Sequence, residues 1–390
     1  MASKADVLSP DLNRVEAAPL AQGPAVARAS AWSEFETAEA RAQWDALAKR
    51  AAEPNPFHDV WYLLPALRAL DPSGTVRLFT LRAQGELIGL LPLRREPRYY
   101  GRPIPQLGNW IHGNCFLGAP LVAAGAEQAF WRALLDWADA NANRALFLHI
   151  AQLPLGGPLH TALQAVLAEQ GRLGALVHRE ERAVLASELS PAAYFEDSLS
   201  GKKRKELRRQ HARLSELGTL TFERQTDDAD LRDWTERFLA LEHSGWKGSA
   251  GSALASHQAT AALFREALAG AAQRGRLERL TLSLDGEPIA MLVQFLTPPG
   301  AFSYKTAFDE RFARFSPGVL LQRENLALLD HPQVEWCDSC AAADHPMIDH
   351  IWRERREIGR LSIAIGGRVR RALFRQLVRL ELGRHPAGLS

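Results

Sequence analysis

Two stretches of this 390-residue chain carry residue types that can do chemistry. The first is Ala301–Asn325, AFSYKTAFDERFARFSPGVLLQREN. Phe302, Tyr304, Thr306 and Phe308 alternate at period two, which predicts a strand. Arg311 and Arg314 follow in a charged loop, and Ser316-Pro317-Gly318 then opens a helix through Val319, Leu320, Leu326 and Leu329. Ser suits an N-cap, and Pro suits the first turn, where its missing N–H costs nothing. Gly318 removes a side chain where a ligand would press on the backbone. Strand, basic loop and bare helix N-terminus together make an anion site that fits a pyrophosphate. The second stretch, CDSCAAADHPMIDHIWRERREI, starts at Cys337. Cys337-x2-Cys340-x4-His345-x4-His350 offers two thiolates and two imidazoles at zinc-ligand spacing. Ala341–Ala343 and a helix-like Met347–Arg356 surround them, where a compact zinc knuckle would have Gly and aromatics, so no metal is expected. Asp338, Asp344 and His345 instead read as acid–base groups. An unperturbed histidine titrates near neutrality, which suits His345 as a base, and Asp344 or Asp349 would orient it.

These groups need a scaffold, and the flanking sequence alternates strands with helices. Leu277–Leu284 and Pro288–Leu296 read as a hairpin that feeds the strand Ala301–Phe308, and Val334–Cys337 reads as a short later strand. The hairpin has an earlier counterpart. LFTLRAQGELIGLLPL at Leu78–Leu93 parallels LTLSLDGEPIAMLVQF at Leu280–Phe295, with Gly85-Glu86 matched to Gly286-Glu287. This points to two copies of one α/β unit. No Ser-Pro-Gly helix start follows the first hairpin. Helices are expected over residues 34–50, Phe57–Leu70, Gln128–Asn141, Leu159–Glu169, Ala229–His243 and Thr260–Arg274. Ala183–Ser187 reads as an edge strand and Lys202–Leu217 as a strongly basic helix. The Gly-rich run Ser244–Ser252 reads as a loop, with Trp246 and Lys247 on a lid over a site.

The run Tyr304-Lys305-x-Ala307-Phe308-Asp309, followed by Ser316-Pro317-Gly318, resembles the acyl-CoA-binding turn of the GNAT acyltransferase superfamily. It is most similar to the branch of cellulose-biosynthesis-type acetyltransferases. Ser-Pro-Gly departs from the commoner Arg/Gln-x-x-Gly-x-Gly/Ala turn of that superfamily. The resemblance implies an α/β fold of two tandem GNAT-like domains, with mixed, mostly antiparallel sheets flanked by helices. Residues 1–30 would be a disordered tail and 31–174 a first domain without a donor turn. Residues 175–363 would hold the acyl-CoA site and 364–390 a basic amphipathic helix. The implied activity is acyl-CoA-dependent N-acyl transfer to a primary amine. Arg311, Arg314, Phe315, Ser316, Gly318 and Val319 would hold the donor. Trp246, Lys247, Tyr304 and Asp309 would line the acceptor site, and His345, Asp338, Asp344 and Lys305 would do the chemistry. The amine must be neutral to attack, so a base is required, and His345 is the expected one. The basic C-terminal helix favours a lipid-like acceptor such as a sphingoid base, because a membrane-resident amine needs an enzyme that visits the surface, and the resemblance to a branch that includes bacterial ceramide synthases fits this. The alternatives are an amino sugar on an exopolysaccharide precursor, a Fem-type peptidyltransferase using aminoacyl-tRNA, and a non-catalytic acyl-CoA-binding scaffold.

The whole chain sets outer bounds. Its net charge of +2 creates no global field for nucleic acid, so none is expected as a partner. No apolar run approaches the roughly 18–20 residues that span a bilayer, and the N-terminus lacks a secretory apolar core. Cys115, Cys337 and Cys340 cannot form a disulfide framework, which points to a reducing cytoplasm. At the C-terminus, Val369, Leu373, Leu377 and Leu380 form a stripe among Arg368, Arg370, Arg371, Arg375, Arg379 and Arg384. Such a helix either lies on an anionic membrane, on the inner face of the cytoplasmic membrane, or docks on the protein.

Overall fold

A computed structural model describes residues 25–343, 345 and 347–383. Asp344, Arg384 and the expected tail before Ala25 lie outside the described residues. The first half runs β1 (Ala25–Ala31), α1 (Ala38–Lys49), α2 (Val60–Leu70), β2 (Arg77–Ala83), β3 (Glu86–Glu96), β4 (Gln106–Asn109), β5 (Leu121–Val122), α3 (Glu127–Asn141), β6 (Phe147–Pro154), α4 (Pro158–Glu169) and β7 (Gly174–Leu185). After α5 (Pro191–Ser198) and α6 (Gly201–Ser215) come β8 (Leu220–Gln225), α7 (Leu231–Ser244), α8 (Trp246–Ser249) and α9 (Gln258–Ala272). The chain then continues through β9 (Leu277–Leu284), β10 (Glu287–Thr297), β11 (Gly300–Phe308), α10 (Pro317–Asn325), β12 (Trp336–Asp338), β13 (Glu354–Ala364) and α11 (Arg368–Leu382). Among the described residues no helix is long and apolar enough to cross a membrane.

The fold is mixed α/β and mostly antiparallel, as expected, but its strands join into one sheet instead of two. Their order is β1-β2-β3-β4-β6-β13-β7-β12-β11-β10-β9-β8, with β5 beside β3. The two ends of this sheet repeat each other. β1 to β4 pair antiparallel and β4 meets β6 parallel. Likewise β8 to β11 pair antiparallel and β11 meets β12 parallel. The two hairpins matched in sequence, β2–β3 and β9–β10, occupy equivalent places in the two runs. At the centre the halves exchange strands. β13 of the second half pairs with β6 of the first, and β7 of the first half pairs with β12 of the second.

Several elements differ from expectation. Ala25–Ser30, expected in the tail, forms most of β1 and pairs with β2. Its small residues carry little periodicity, so only the pairing reveals the strand. β7 is central, not an edge. Its polar run His178–Arg182 disguised it, because those charges are answered across the ladder, as where Arg179 Nη1 lies 2.9 Å from Glu357 Oε1. The true edge is β8, whose two apolar residues are too few for a pattern. Residues 347–356 are a turn leading into β13, not a helix.

The halves share a core. On one face of the sheet, Phe57 and Tyr62 beside and within α2 pack edge-on to Phe295, Phe302 and Tyr304 of β10 and β11. Aromatic pairs of this kind add about 0.5–1.5 kcal/mol each beyond their area. A separate cluster lies under α10, where Leu320 and Leu321 meet Leu280, Leu292 and Phe315.

Candidate active site

The site grows from the end of β11. β12 pairs with β11 only at Gly300, Ala301 and Phe302, so the rest of that edge has no strand beside it. On the other side the β10 register slips between Val293 and Gln294, leaving Tyr304 as the extra residue of a bulge. β11 therefore runs on past β12, and Lys305 lies on that free stretch. Lys247 Nζ reaches the Thr306 carbonyl at 3.4 Å from α8.

Beyond β11 the chain makes a 3₁₀ turn over Glu310–Phe315. Asp309 caps it, accepting the Arg311 N–H at 2.9 Å, and the Arg311 guanidinium clamps the same carboxylate at 2.6–3.1 Å. That pairing holds the Asp309 carboxyl below its usual range. Asp309 is thus a turn-former already occupied, not a free acceptor-site carboxylate. Ser316 sits in the left-handed region (φ 54°), and its side chain makes no cap bond. Its carbonyl instead accepts from the Val319 and Leu320 N–H groups at 2.9 and 3.0 Å. Phe315 is buried in the core, so only its backbone faces outward. Val319 packs at the edge of the cluster around Leu326 and Ile348. At Gly318 a Cβ would meet Met347 Sδ at 2.7 Å. The space expected there for a ligand is where the 347–350 turn approaches. The basic helix α6 flanks the turn: Leu207 and Leu214 face inward, and Gln210 Nε2 donates to the Arg314 carbonyl at 3.3 Å. The Arg314 guanidinium lies 4.7 Å over the Phe315 ring.

Lys305 has company from both halves. Its Nζ lies 5.3 Å from the Phe116 ring and 5.8 Å from the Tyr304 ring. Desolvation there, with some help from the Lys247 charge, lowers its amine to about 8. Lys247 itself donates to Glu242 Oε1 at 2.9 Å, and Glu242 Oε2 accepts the Leu254 N–H at 2.8 Å. The loop expected as a mobile lid is therefore a helical turn held at two points, for the Trp246 N–H also donates to Glu310 Oε1 at 2.6 Å. The Trp246 ring is 59% exposed beside this small cleft of Glu242, Lys247, Thr306 and Phe308. A wider groove of about 780 Å³ between α7 and α9 has Arg265 and Glu236 paired across it, so its charges answer each other.

His345 lies on the same side. Burial, and then Lys247, push its imidazole below the ordinary value, so it is neutral at neutral pH. Among the described residues its buried Nδ1 has no hydrogen-bond partner. Of the two carboxylates expected to orient it, Asp349 lies 3.4 Å from Arg355 and its charge also acts on the His345 imidazole.

Two expected site residues are structural. Asp338 is fully buried. It accepts the Cys340 N–H at 2.8 Å and lies 3.4 and 3.5 Å from Arg182 of β7 and Arg356 of β13. It ties three elements together and presents no free oxygen to a substrate. Tyr304 is buried, stacked on Phe295 at 4.8 Å, with its hydroxyl 3.0 Å from the Tyr62 hydroxyl. Tyr62 in turn donates to the Asn114 carbonyl, so Tyr304 is the donor in the pair. The Tyr304 hydroxyl thus links the halves, while its ring lies beside the Lys305 amine. Cys337 and Cys340 point into different core clusters.

Sequence reasoning missed Glu242, Tyr62, Phe116 and His112. His112 stacks on Tyr62, and burial lowers its imidazole to about 3. Glu242 had a weak signal, an acid five residues before Lys247. The other three lie far away in sequence and gave none.

Comparison with known proteins places this geometry. Residues 201–345 match a family model described as "Acetyltransferase (GNAT) domain". FemX is similar in structure at a TM-score of 0.53 and 12% identity, covering 87% of this chain and 98% of that one. The C-terminal domain of a putative lysylphosphatidylglycerol synthetase from Agrobacterium fabrum gives 0.51 and 16%, covering 88% and 97%. A conserved protein of unknown function from Bacteroides thetaiotaomicron gives 0.51 and 12%, covering 83% and 97%. At these identities the likeness is one of fold. A search of curated proteins finds no match.

Proposed function

We propose, for a chain that belongs to the GNAT superfamily and is an acyl-CoA-dependent N-acyltransferase, that the acceptor is the primary amine of a lipid-like molecule and that Lys305 takes its proton. One observation carries this: a lysine amine lowered to about 8, on the strand edge that β12 leaves open. An ammonium must lose a proton before its nitrogen can attack a carbonyl carbon, and a base that titrates near the working pH does this best. Acyl-CoA supplies the activated acyl group when bound. The N-terminus of α10, Arg314 and the basic helix α6 support holding a pyrophosphate at the turn. The unpaired edge of β11 supports hydrogen bonds to a carbonyl oxygen as its charge grows. Lys247, held by Glu242, adds a fixed positive charge beside it.

The walls favour an acceptor with an apolar body. Phe116 and Tyr304 flank the Lys305 amine, and Trp246 stands exposed beside the cleft. An amino sugar would leave hydroxyls unpaired against those rings. His345 is the second basic group, and pH separates the two. A base at Lys305 gives a rate that rises to a plateau above about 8, whereas a base at His345 gives a limb below the ordinary imidazole range.

The test is direct. The protein is incubated with acyl-CoA and either a sphingoid base or an amino sugar, and amide products are followed by mass spectrometry. Acylation of the sphingoid base is expected. Acylation of the sugar alone would overturn the acceptor assignment. Failure of coenzyme A to raise the melting temperature would overturn the donor site.

A further inference from the structure

The C-terminal helix has two apolar faces, and the fold uses one. Phe374 and Val378 are buried against Phe147 and Tyr99 of the first half. Glu381 accepts the Tyr99 hydroxyl at 2.7 Å, and Arg371 reaches Asp139 at 2.8 Å. Thus α11 docks lengthwise on the protein. Val369, Leu373 and Leu380 emerge about 140° further round, at 100° per residue. They are 77%, 57% and 82% exposed. The stripe expected from sequence therefore splits, and only Leu377 sides with the core.

Three large aliphatics aligned on one exposed ridge need a partner surface. The chemistry around them says which kind. Arg370 lies about 80° round from the ridge, donating to the Asn143 carbonyl, and Arg368 and Arg375 are exposed about 120–140° round on the other side. Glu381 is the lone acid of α11, and it is engaged by Tyr99. An aliphatic ridge on an otherwise basic helix matches a bilayer interface of acyl chains and phosphates. A nucleic acid would use the cations and leave the leucines in water.

We propose that α11 is an in-plane anchor that seats the protein on an anionic lipid surface. Val369, Leu373 and Leu380 enter the acyl boundary, and the arginines of α11 meet headgroup phosphates. The anchor would deliver the enzyme to a membrane-resident amine, so its purpose rests on the proposed acceptor. Its binding does not, because no donor or acceptor enters the test.

The test is sedimentation of the full chain with vesicles of phosphatidylcholine alone or mixed with phosphatidylglycerol. The wild type should pellet with the mixed vesicles, less with the neutral ones, and lose binding as salt rises. Leu373→Glu with Leu380→Glu should remove pelleting and keep the melting temperature, since neither side chain is in the core. Arg368→Gln with Arg375→Gln should weaken binding to mixed vesicles by about 25-fold, at roughly fivefold per arginine. Wild-type protein that stays in the supernatant with mixed vesicles overturns the proposal. So does a glutamate double variant that still pellets, or one that fails to fold, for the ridge would then belong to the core.

Discussion

Lys305→Met separates stability from activity, because the same burial serves one and costs the other. The wild-type amine is lowered from an ordinary 10.5 to about 8. In the unfolded chain the proton stays on until about 10.5; in the folded protein it leaves near 8. Below pH 8 both states are protonated and the folded state bears the full cost of holding a charge among the Phe116 and Tyr304 rings. At 1.36 kcal/mol per pH unit, that cost is about 3 kcal/mol, or nearer 2 once the partial exposure of Lys305 is allowed for. Between pH 8 and 10.5 the unfolded chain binds more protons, so wild-type stability rises with pH and the cost fades to about 1 kcal/mol by pH 10. Methionine has similar length and no charge. Urea unfolding should therefore find Lys305→Met about 2–3 kcal/mol more stable at pH 7 and nearly equal to wild type at pH 10. Turnover on a short soluble amine should fall about 10²–10⁴-fold, with the limb near pH 8 lost. About 9% of the wild-type amine is neutral at pH 7, roughly 300 times more than for an ordinary lysine. A variant that is less stable at pH 7, or one whose advantage does not shrink with pH, would refute the reasoning. Retained turnover would move the base to His345.

Other outcomes follow from the same geometry. Asp338→Asn weakens the carboxylate's hold on two guanidiniums in the interior, so it should cost about 3–5 kcal/mol in urea unfolding while leaving the pH limb of the rate unmoved. Gly318→Val drives a side chain into Met347 Sδ, so calorimetry should show coenzyme A affinity down at least tenfold with the helix intact. Tyr304→Phe removes one hydroxyl from a buried pair and should cost about 1 kcal/mol, with turnover nearly unchanged because the ring still walls Lys305.

How much the sequence disclosed depends on the reach of each interaction. The β9–β10 hairpin, β11 and α10 were legible because period two, a turn at Gly286 and a Pro-Gly start are local signals. The match between β2–β3 and β9–β10 disclosed the repeat for the same reason. Strand exchange was not legible, since nothing near β13 says that it will lie between β6 and β7. Asp338 was misread for a related cause. Its neighbours in sequence look catalytic, but its partners Arg182 and Arg356 arrive from β7 and β13. Ser316 looked like an N-cap because Ser-Pro usually is one, yet the preceding 3₁₀ turn takes the chain into the left-handed region and turns the hydroxyl away. On α11 the sequence reading picked out the stripe Val369, Leu373, Leu377 and Leu380, and only the docking surface reveals that Phe374 and Val378 are the buried pair.

On the proposed mechanism, the first half has a part in the chemistry. The ring nearest the Lys305 amine, Phe116, belongs to it. So does His112, which is kept neutral by burial beside Lys305 and adds no charge to the pocket. The Phe116 carbonyl accepts from Arg182 Nη1 at 2.7 Å, and Arg182 also reaches Asp338. The wall is therefore fastened to β7, the strand beside β12. A second half standing alone would leave that side of Lys305 in water, where its amine would return toward 10.5 and hold its proton at neutral pH. Strand exchange prevents this. With β13 between β6 and β7, the halves cannot part without breaking the sheet, so the first copy needs no ligand of its own to matter. It sets how readily Lys305 gives up its proton.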